Sequence, residues 1–196
     1  EGVSWGADIR LTTNAGVSAI PSVSASGLYV HVVWDDTRNG NAEIYYKRST
    51  NGGESWGADT RLTNNSASST SACVAVSGSV VHVTWQDRRF EWEIFYIRST
   101  DAGSAWGPET RLTNDAASSW YPNLSVSGSV VHIVWQERRD GNDEIYYKRS
   151  TDDGVSWESD TRLTFFVSGS GAWNPSVAVS GTFVHVVWND YRIGSE

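Results

Sequence analysis

Three regularities in the sequence predict an all-β fold, a β-propeller of four-stranded antiparallel blades with about four repeats in this chain. First, a unit of about fifty residues recurs along the chain, which is typical of repeat architectures. Second, each unit contains four short segments of β-forming residues, the strand content of one propeller blade. Third, glycine and polar turn residues separate these segments at intervals of about ten residues.

Columns of tryptophan and histidine define the repeat. One set of tryptophans is spaced 51, 50 and 51 residues apart: Trp5, Trp56, Trp106 and Trp157. A second set is spaced 51, 50 and 53 residues apart: Trp34, Trp85, Trp135 and Trp188. A histidine precedes each member of the second set by three residues: His31, His82, His132 and His185. Because no Cys/His pair has the short spacing of metal ligands, we predict that these histidines are structural and donate hydrogen bonds to neighbouring blades.

Each unit contains four predicted strands, named A to D in chain order. In the first unit, strand A covers residues 21–26, strand B 29–34, strand C 43–48 and strand D 60–63. Strand A carries small residues, which suit the innermost position where blades converge on the propeller axis. Strand B is almost entirely apolar, which indicates that neighbouring blades cover both of its faces. We therefore expect the Trp34-type side chains to be buried between blades.

The strands follow the order D, then A-B-C-D three times, then A-B. We expect residues 1–196 to form one propeller domain, with repeats at about 1–51, 52–101, 102–152 and 153–196, the last one incomplete. Two alternatives remain for the ring: the chain is part of a larger propeller, or copies of the chain associate to complete it. An open blade edge favours either kind of association.

Composition narrows the classes of partner. The sequence has 15 lysines and arginines against 23 aspartates and glutamates, a formal net charge of −8. This charge argues against nucleic acid or an anionic membrane as a partner, because both bind basic patches. The lone cysteine, Cys73, excludes an intrachain disulfide; other units have Ser22, Asn123 and Ser176 at its position, so we interpret it as a small strand residue. No metal site and no cofactor is predicted.

The turn between strands C and D carries a motif. Residues 99–106 and 150–157 match Ser-x-Asp-x-Gly-x-x-Trp in full, and residues 49–56 match it with asparagine in place of aspartate. The motif resembles the Asp-box of the bacterial neuraminidase (BNR) repeat, and the chain thereby resembles the sialidase-like β-propeller family. The resemblance implies that these turns lie on the face opposite the ligand site, and it favours an extracellular or periplasmic location.

The Asp-box has a structural role on physical grounds. Its aspartate or asparagine can accept backbone N–H bonds from its own turn, its glycine supplies a left-handed conformation, and its tryptophan covers the blade edge. We assign this role to three residues in each turn: Asn51, Asp101, Asp152, Gly53, Gly103, Gly154, Trp56, Trp106 and Trp157.

The D–A and B–C loops are expected on the other face, which carries the ligand site in sialidase-like propellers. Every B–C loop combines an acid with an arginine, at residues 35–38, 86–89, 136–139 and 189–192. We interpret these as blade-to-blade ion pairs, repeated because the blade is repeated. The alternative is an arginine cluster for a substrate carboxylate, which the resemblance would imply.

Unrepeated loop residues are better candidates for ligand binding, because a site needs asymmetry between units. Aromatic residues offer flat faces to sugar rings, and five of them break the symmetry: Trp92, Trp120, Tyr121, Trp173 and Tyr191. The alternative is that they fill the channel mouth or pack between blades. Three arginines complete the candidate set: Arg88, Arg138 and Arg192.

The leading functional prediction is a non-catalytic propeller that binds glycan or protein ligands through its D–A/B–C face. The alternatives are an exo-sialidase-like glycoside hydrolase or a fragment of one, and a purely structural repeat segment. No catalytic residue is predicted, because the Arg-Ile-Pro motif of sialidases is absent. The loop acids also each have an arginine nearby that would hold them ionised and unable to protonate a leaving group: Asp36, Asp87, Glu137 and Asp190.

Overall fold

The computed structural model describes residues 5–192, so residues 1–4 and 193–196 of the expected domain lie outside the described part. The first sheet contains β1 (Ser18–Ser26), β2 (Tyr29–Asp36), β3 (Glu43–Ser49) and β4 (Thr60–Arg61). The second contains β5 (Ser69–Ser77), β6 (Val80–Asp87), β7 (Glu93–Ser99) and β8 (Thr110–Arg111). The third contains β9 (Ser119–Ser127), β10 (Val130–Glu137), β11 (Glu144–Ser150) and β12 (Thr161–Arg162). The fourth contains β13 (Gly171–Ser180) and β14 (Phe183–Tyr191).

Each sheet is an antiparallel meander in which strand order follows chain order. The first strands of successive sheets lie side by side: β1 contacts β5, β5 contacts β9, and β9 contacts β13. The sheets are therefore consecutive blades with their A strands innermost, and the prediction of an all-β propeller with four-stranded blades is confirmed. Within residues 5–192, no helix is long and apolar enough to cross a membrane.

The core lies between the blades. Trp85 and Trp135 are fully buried and Trp34 is 3% exposed, as expected for B strands covered on both faces. The same expectation is wrong for Trp188, which is only partly buried. No described residue covers the outer face of β14, where Val187 is 65% exposed.

The D strand predicted at the start of the chain is not observed, since residues 5–17 form no strand. The Leu11 carbonyl nevertheless accepts a hydrogen bond from Lys47 Nζ at 2.6 Å, just as the Leu112 carbonyl accepts one from Lys148 Nζ at 2.7 Å. This segment thus lies beside the first blade where a D strand of a preceding blade would lie. Among residues 5–192, no C strand pairs with it.

The C–D turns are held by side chains that bond to their own backbone. The Asp101 carboxylate accepts a hydrogen bond from Ala105 N–H at 2.9 Å, and Ser99 Oγ accepts one from the turn glycine at 2.9 Å. The turns at 49–56 and 150–157 repeat both bonds. The bond from Ala105, together with others, lowers the pKa of Asp101 below its usual value.

The turns at 99–106 and 150–157 also contact the preceding blade. The Asp153 carbonyl accepts hydrogen bonds from Tyr96 Oη at 3.3 Å and Arg98 Nη1 at 3.0 Å. Trp157 packs edge-on against Tyr96, with 5.0 Å between ring centroids. Gly154 has a φ of +78°, and a Cβ there would lie 2.1 Å from Tyr96 Oη. The turn of the third sheet is therefore docked on the C strand of the second.

His31, His82 and His132 each have a tyrosine partner within their own blade. His82 Nδ1 lies 2.7 Å from Tyr96 Oη, and because that hydroxyl donates to the next turn, Nδ1 carries the proton. Burial lowers the pKa of His31 and His82 to about 4, so both are neutral at pH 7. The expectation of hydrogen bonds from the histidines to neighbouring blades is wrong, because the tyrosine makes the link between blades. In the described range, no group of three His, Cys, Asp or Glu side chains is placed to hold a metal ion.

Candidate ligand-binding face

The loops separate onto two faces. The B–C loops bond to the D–A linkers that follow them: Ser119 N–H donates to the Trp92 carbonyl at 2.7 Å and Ala172 N–H to the Asp143 carbonyl at 2.7 Å. The C–D turns bond instead to the A–B turns, as where Asp153 N–H donates to the Ser129 carbonyl at 2.9 Å. The D–A/B–C loops therefore share one face and the Asp-box turns the other.

The acid–arginine pairs of the B–C loops are structural. Asp36 is fully buried and accepts hydrogen bonds from Trp34 Nε1 at 2.9 Å and from the Arg38 guanidinium at 2.7 Å. Arg38 also donates to Asp59 at 2.6 Å. The second and third sheets repeat this network around Asp87 and Glu137. The arginine joins the B–C loop to the residue just before the D strand of its own blade, so the interpretation as blade-to-blade pairs is wrong for these contacts. Arg139 also pairs at 3.0 Å with Asp115, in the linker from the second sheet to the third.

The charge states of these acids differ between blades. Burial alone would raise the pKa values of Asp36 and Asp87, but the hydrogen bonds that each accepts from an arginine, a tryptophan and a serine together outweigh it and the net shift is downward. Glu137 is the exception, because burial and the neighbouring Asp115 raise its pKa to about 7. The expectation that every loop acid is held ionised is wrong for Glu137. Its side chain is fully buried and hydrogen-bonded to Trp135 Nε1 at 2.6 Å, out of reach of a substrate.

The glutamates that begin the C strands form a second structural column. Glu43 accepts a hydrogen bond from Arg61 Nη2 at 2.8 Å and one from Thr63 Oγ1 at 2.5 Å, and it is fully buried. Glu93 and Glu144 repeat these contacts in the next two sheets. Their carboxylates fasten the C strand to the D strand.

A funnel opens where the A strands meet. Each A strand has a bulge at a non-glycine residue in the left-handed region: Ile20 (φ 49°), Ser71 (φ 58°), Tyr121 (φ 50°) and Asn174 (φ 51°). These residues and their neighbours line a concavity of about 380 Å³ to which all four sheets contribute. Such bulges and strained residues are common beside functional sites.

The inner strands are joined below this opening. Cys73 Sγ lies 3.8 Å from Ser22 Oγ and 3.6 Å from Asn123 Nδ2, the equivalent residues of the flanking blades. Burial raises the pKa of the Cys73 thiol, which is therefore neutral at pH 7. The cysteine acts as a small residue of the A strand, as its column predicts.

Residues at the ends of the B strands bond to the bulges. Gln86 Oε1 accepts a hydrogen bond from Tyr121 N–H at 2.8 Å, and Asp35 Oδ2 accepts one from Ser71 N–H at 3.1 Å. These bonds join the first blade to the second and the second to the third at the funnel mouth. Asp35 is 6% exposed, and burial raises its pKa to about 6.

A second concavity, the blade 3–4 cleft, lies on the same face and has a volume of about 320 Å³. Its walls come from the B–C loop of the third sheet, the linker to the fourth sheet and the strands of the fourth sheet. It is lined by Arg138, Gly141, Asn142, Asp143, residues 168–171, Trp173 and Tyr191.

A longer linker creates this cleft. Residues 164–174 span two more positions than the equivalent segments 63–71 and 113–121. The added residues are part of a Gly-Ser-Gly run, and Gly169 has a φ of +87°. The sequence signal for this asymmetry is the interval of 53 residues before Trp188, where the other intervals are 51 and 50.

The structure brings three of the eight candidate residues together in the cleft. Trp173 is half-buried, Tyr191 is 58% exposed, and the Arg138 side chain is 61% exposed. Sequence reasoning missed Asn142 and Asp143, whose only signal is their position in the same B–C loop as Arg138.

The other five candidates lie elsewhere. Tyr121 is 47% exposed in the funnel, and Trp120 occupies the position in β9 that Trp173 occupies in β13. The Arg88 guanidinium lies 5.8 Å from the ring centroid of Trp92 in the second sheet. Arg192 pairs with Asp190 at 2.7 Å, the arrangement of the repeated acid–arginine column.

Comparison with known proteins identifies the fold. No family model matches the sequence, and neither does any curated protein. The structure resembles the GH93 α-L-arabinofuranosidase of Fusarium graminearum, with a TM-score of 0.64 and 15% identity over 82% of this chain and 52% of that one. It also resembles the Trypanosoma rangeli sialidase, with a TM-score of 0.62 and 17% identity over 87% of this chain and 33% of that one.

A third similar structure is a protein of unknown function from Dyadobacter fermentans, with a TM-score of 0.71 and 12% identity over 93% of this chain and 64% of that one. The chain therefore has the fold of sialidase-like β-propellers. It spans about half the length of the arabinofuranosidase and a third of that of the sialidase.

Proposed function

We propose that this chain is a non-catalytic sialidase-like propeller that binds glycans through its D–A/B–C face, with the blade 3–4 cleft as the binding site. The observation that carries the proposal is the composition of the cleft. Two aromatic side chains, Trp173 and Tyr191, stand beside Arg138, Asn142 and Asp143 in a concavity of about 320 Å³. Ligand pockets combine such aromatic walls with a few placed polar groups, and their volumes begin at roughly 300 Å³.

The charge states of the acids support binding over hydrolysis. A glycosidase needs a protonated acid beside the scissile bond and a second carboxylate within about 10 Å of it. Asp35 and Glu137 have pKa values raised to about 6 and about 7, but their side chains are buried in structural hydrogen bonds. They also belong to different blades, the first and the third. Neither acid lines the blade 3–4 cleft.

The test is retention of the fluorescently labelled protein on a glycan array. We expect retention that falls at least about fivefold in Trp173→Ala, since loss of an aromatic contact removes about 1 kcal/mol or more. Phe183→Ala is the matched control, because Phe183 is 70% exposed beside the A–B turn on the Asp-box face. Its retention should equal that of the unchanged protein.

Three outcomes would contradict the proposal. One is equal loss of retention in both variants. Another is absence of retention on any glycan together with specific binding of a protein ligand. The third is hydrolysis of reporter sialosides or arabinofuranosides above the background of Arg138→Ala, which would establish the enzyme alternative.

A further inference from the structure

We infer that the blade 3–4 cleft selects neutral sugars with adjacent hydroxyl groups over sugars that carry a carboxylate. The inference rests on the proposed function of the cleft and adds the chemical class of its ligand. It comes from the charges that line the cleft.

The cleft has one positive and one negative side chain. The Arg138 guanidinium lies 3.8 Å from the Asp143 carboxylate, and their side chains are 61% and 25% exposed. The remaining lining residues are uncharged: Gly141, Asn142, Ser168, Gly169, Ser170, Gly171, Trp173 and Tyr191. The net formal charge of the lining is therefore zero.

This pairing disfavours an acidic ligand. A site for a carboxylate or phosphate offers uncompensated cations, usually with bidentate geometry. Here the one arginine is already near an acid, so a ligand carboxylate close to Arg138 would also lie close to Asp143. The repulsion between the two carboxylates would offset the attraction. The net charge of −8 adds long-range repulsion of anions.

The same pair suits a neutral polyol. A guanidinium only donates hydrogen bonds and a carboxylate only accepts them, whereas a sugar hydroxyl does both. Two adjacent hydroxyls can therefore bond one to Arg138 and the other to Asp143, while the sugar ring stacks on Trp173 or Tyr191. The volume of about 320 Å³ is at the small end for ligand pockets, which fits one or two sugar rings.

The experiment uses an array of matched glycan pairs that differ only by oxidation of C6 from a hydroxymethyl group to a carboxylate. We expect retention of the neutral member and at least about tenfold weaker retention of the acidic member, at low ionic strength. In Asp143→Asn, retention of the neutral member should fall about tenfold to a hundredfold, the effect of losing a charged hydrogen bond. Retention of the acidic member should rise, because the repulsion is removed.

Asp140→Asn is the control. Asp140 lies in the same B–C loop but outside the cleft lining, and its side chain is 37% exposed. The backbone bond from Ala172 to the Asp143 carbonyl does not depend on the Asp143 side chain, so Asp143→Asn should keep the loop in place.

The outcomes separate the two claims. Equal or tighter retention of acidic glycans would overturn the inference and leave the proposed function intact. Unchanged retention of neutral glycans by Asp143→Asn would also overturn the inference. Retention of no glycan at all would contradict the proposed function itself, and the inference with it.

Discussion

At the residue scale, Asp35 shows how one substitution changes a repeated contact. The equivalent residue of the second blade, Gln86, accepts the same backbone hydrogen bond as a neutral amide. Asp35 Oδ1 is buried and has no hydrogen-bond partner among the described residues. A carboxylate in this place is charged at pH 7 and largely cut off from water, which costs free energy.

We predict that Asp35→Asn stabilises the protein at pH 7 but not at pH 4. Folding raises the pKa of Asp35 from 3.8 to about 6. The protonated carboxyl therefore adds to the free energy of unfolding in full below pH 4, and this contribution is lost as the pH rises through 6. Between pH 4 and pH 7, the free energy of unfolding falls by roughly 2–3 kcal/mol because of this pKa shift. Thermal melts at several pH values check this: the variant should melt several degrees higher at pH 7 and within about a degree at pH 4. A variant that loses stability equally at both pH values would show that the charge of the Asp35 carboxylate does not lower the stability of the protein.

The adjacent arginines of the B–C loops show what sequence could not decide. Arg88 and Arg89 are neighbours in the chain, yet Arg89 bonds to the buried Asp87 while Arg88 is exposed. Which of two neighbouring side chains points inward depends on where the strand ends, and element ends are the least certain part of a sequence-based prediction. Alignment of the four blades indicates which arginine bonds to the acid, since Arg38 and Arg192 share the position of Arg89.

At the scale of elements, the C–D turn and the strand it contacts act as one unit between blades. The turn supplies a carbonyl, a glycine and a tryptophan, and the preceding C strand supplies a tyrosine and an arginine. The motif was visible in the sequence because its residues are fixed in type and spacing. Its partner tyrosine was not identified, because a contact between repeats leaves no spacing signal within one repeat.

We predict that Gly154→Ala destabilises the protein more than Gly53→Ala. Both glycines have positive φ angles, 78° and 94°, so both variants lose roughly 1–2 kcal/mol from backbone strain. Only the Gly154 variant also places a Cβ against Tyr96, since the nearest atom at Gly53 is 3.9 Å away. This overlap adds about 1–3 kcal/mol. Denaturant unfolding of the two variants measures the difference, and equal losses would rule out the proposed contact between the turn and the preceding blade.

At the scale of the whole molecule, the features repeated in every blade indicate the fold, and the features that occur once indicate the binding site. The fold was predictable because each constraint is repeated three or four times: the buried tryptophan, the capped turn and the glutamate of the C strand. The cleft was predictable only in part, because it occurs between one pair of blades and no other repeat provides a second example of its sequence pattern. Trp173 and Tyr191 were identified as unrepeated aromatics, but their grouping with Arg138 follows from a linker two residues longer than the others, whose path the sequence does not specify.

Glycan binding in the blade 3–4 cleft can be followed through the indole N–H signals of the 11 tryptophans. A ¹H–¹⁵N spectrum is recorded during titration with a glycan retained on the array, and the Trp173 signal is assigned from Trp173→Phe. We predict that the Trp173 signal shifts in a saturable manner, while the signals of Trp106 and Trp157 on the Asp-box face stay in place. Saturable shifts of the Asp-box tryptophans with an unmoved Trp173 signal would place the binding site on the opposite face and rule out the blade 3–4 cleft.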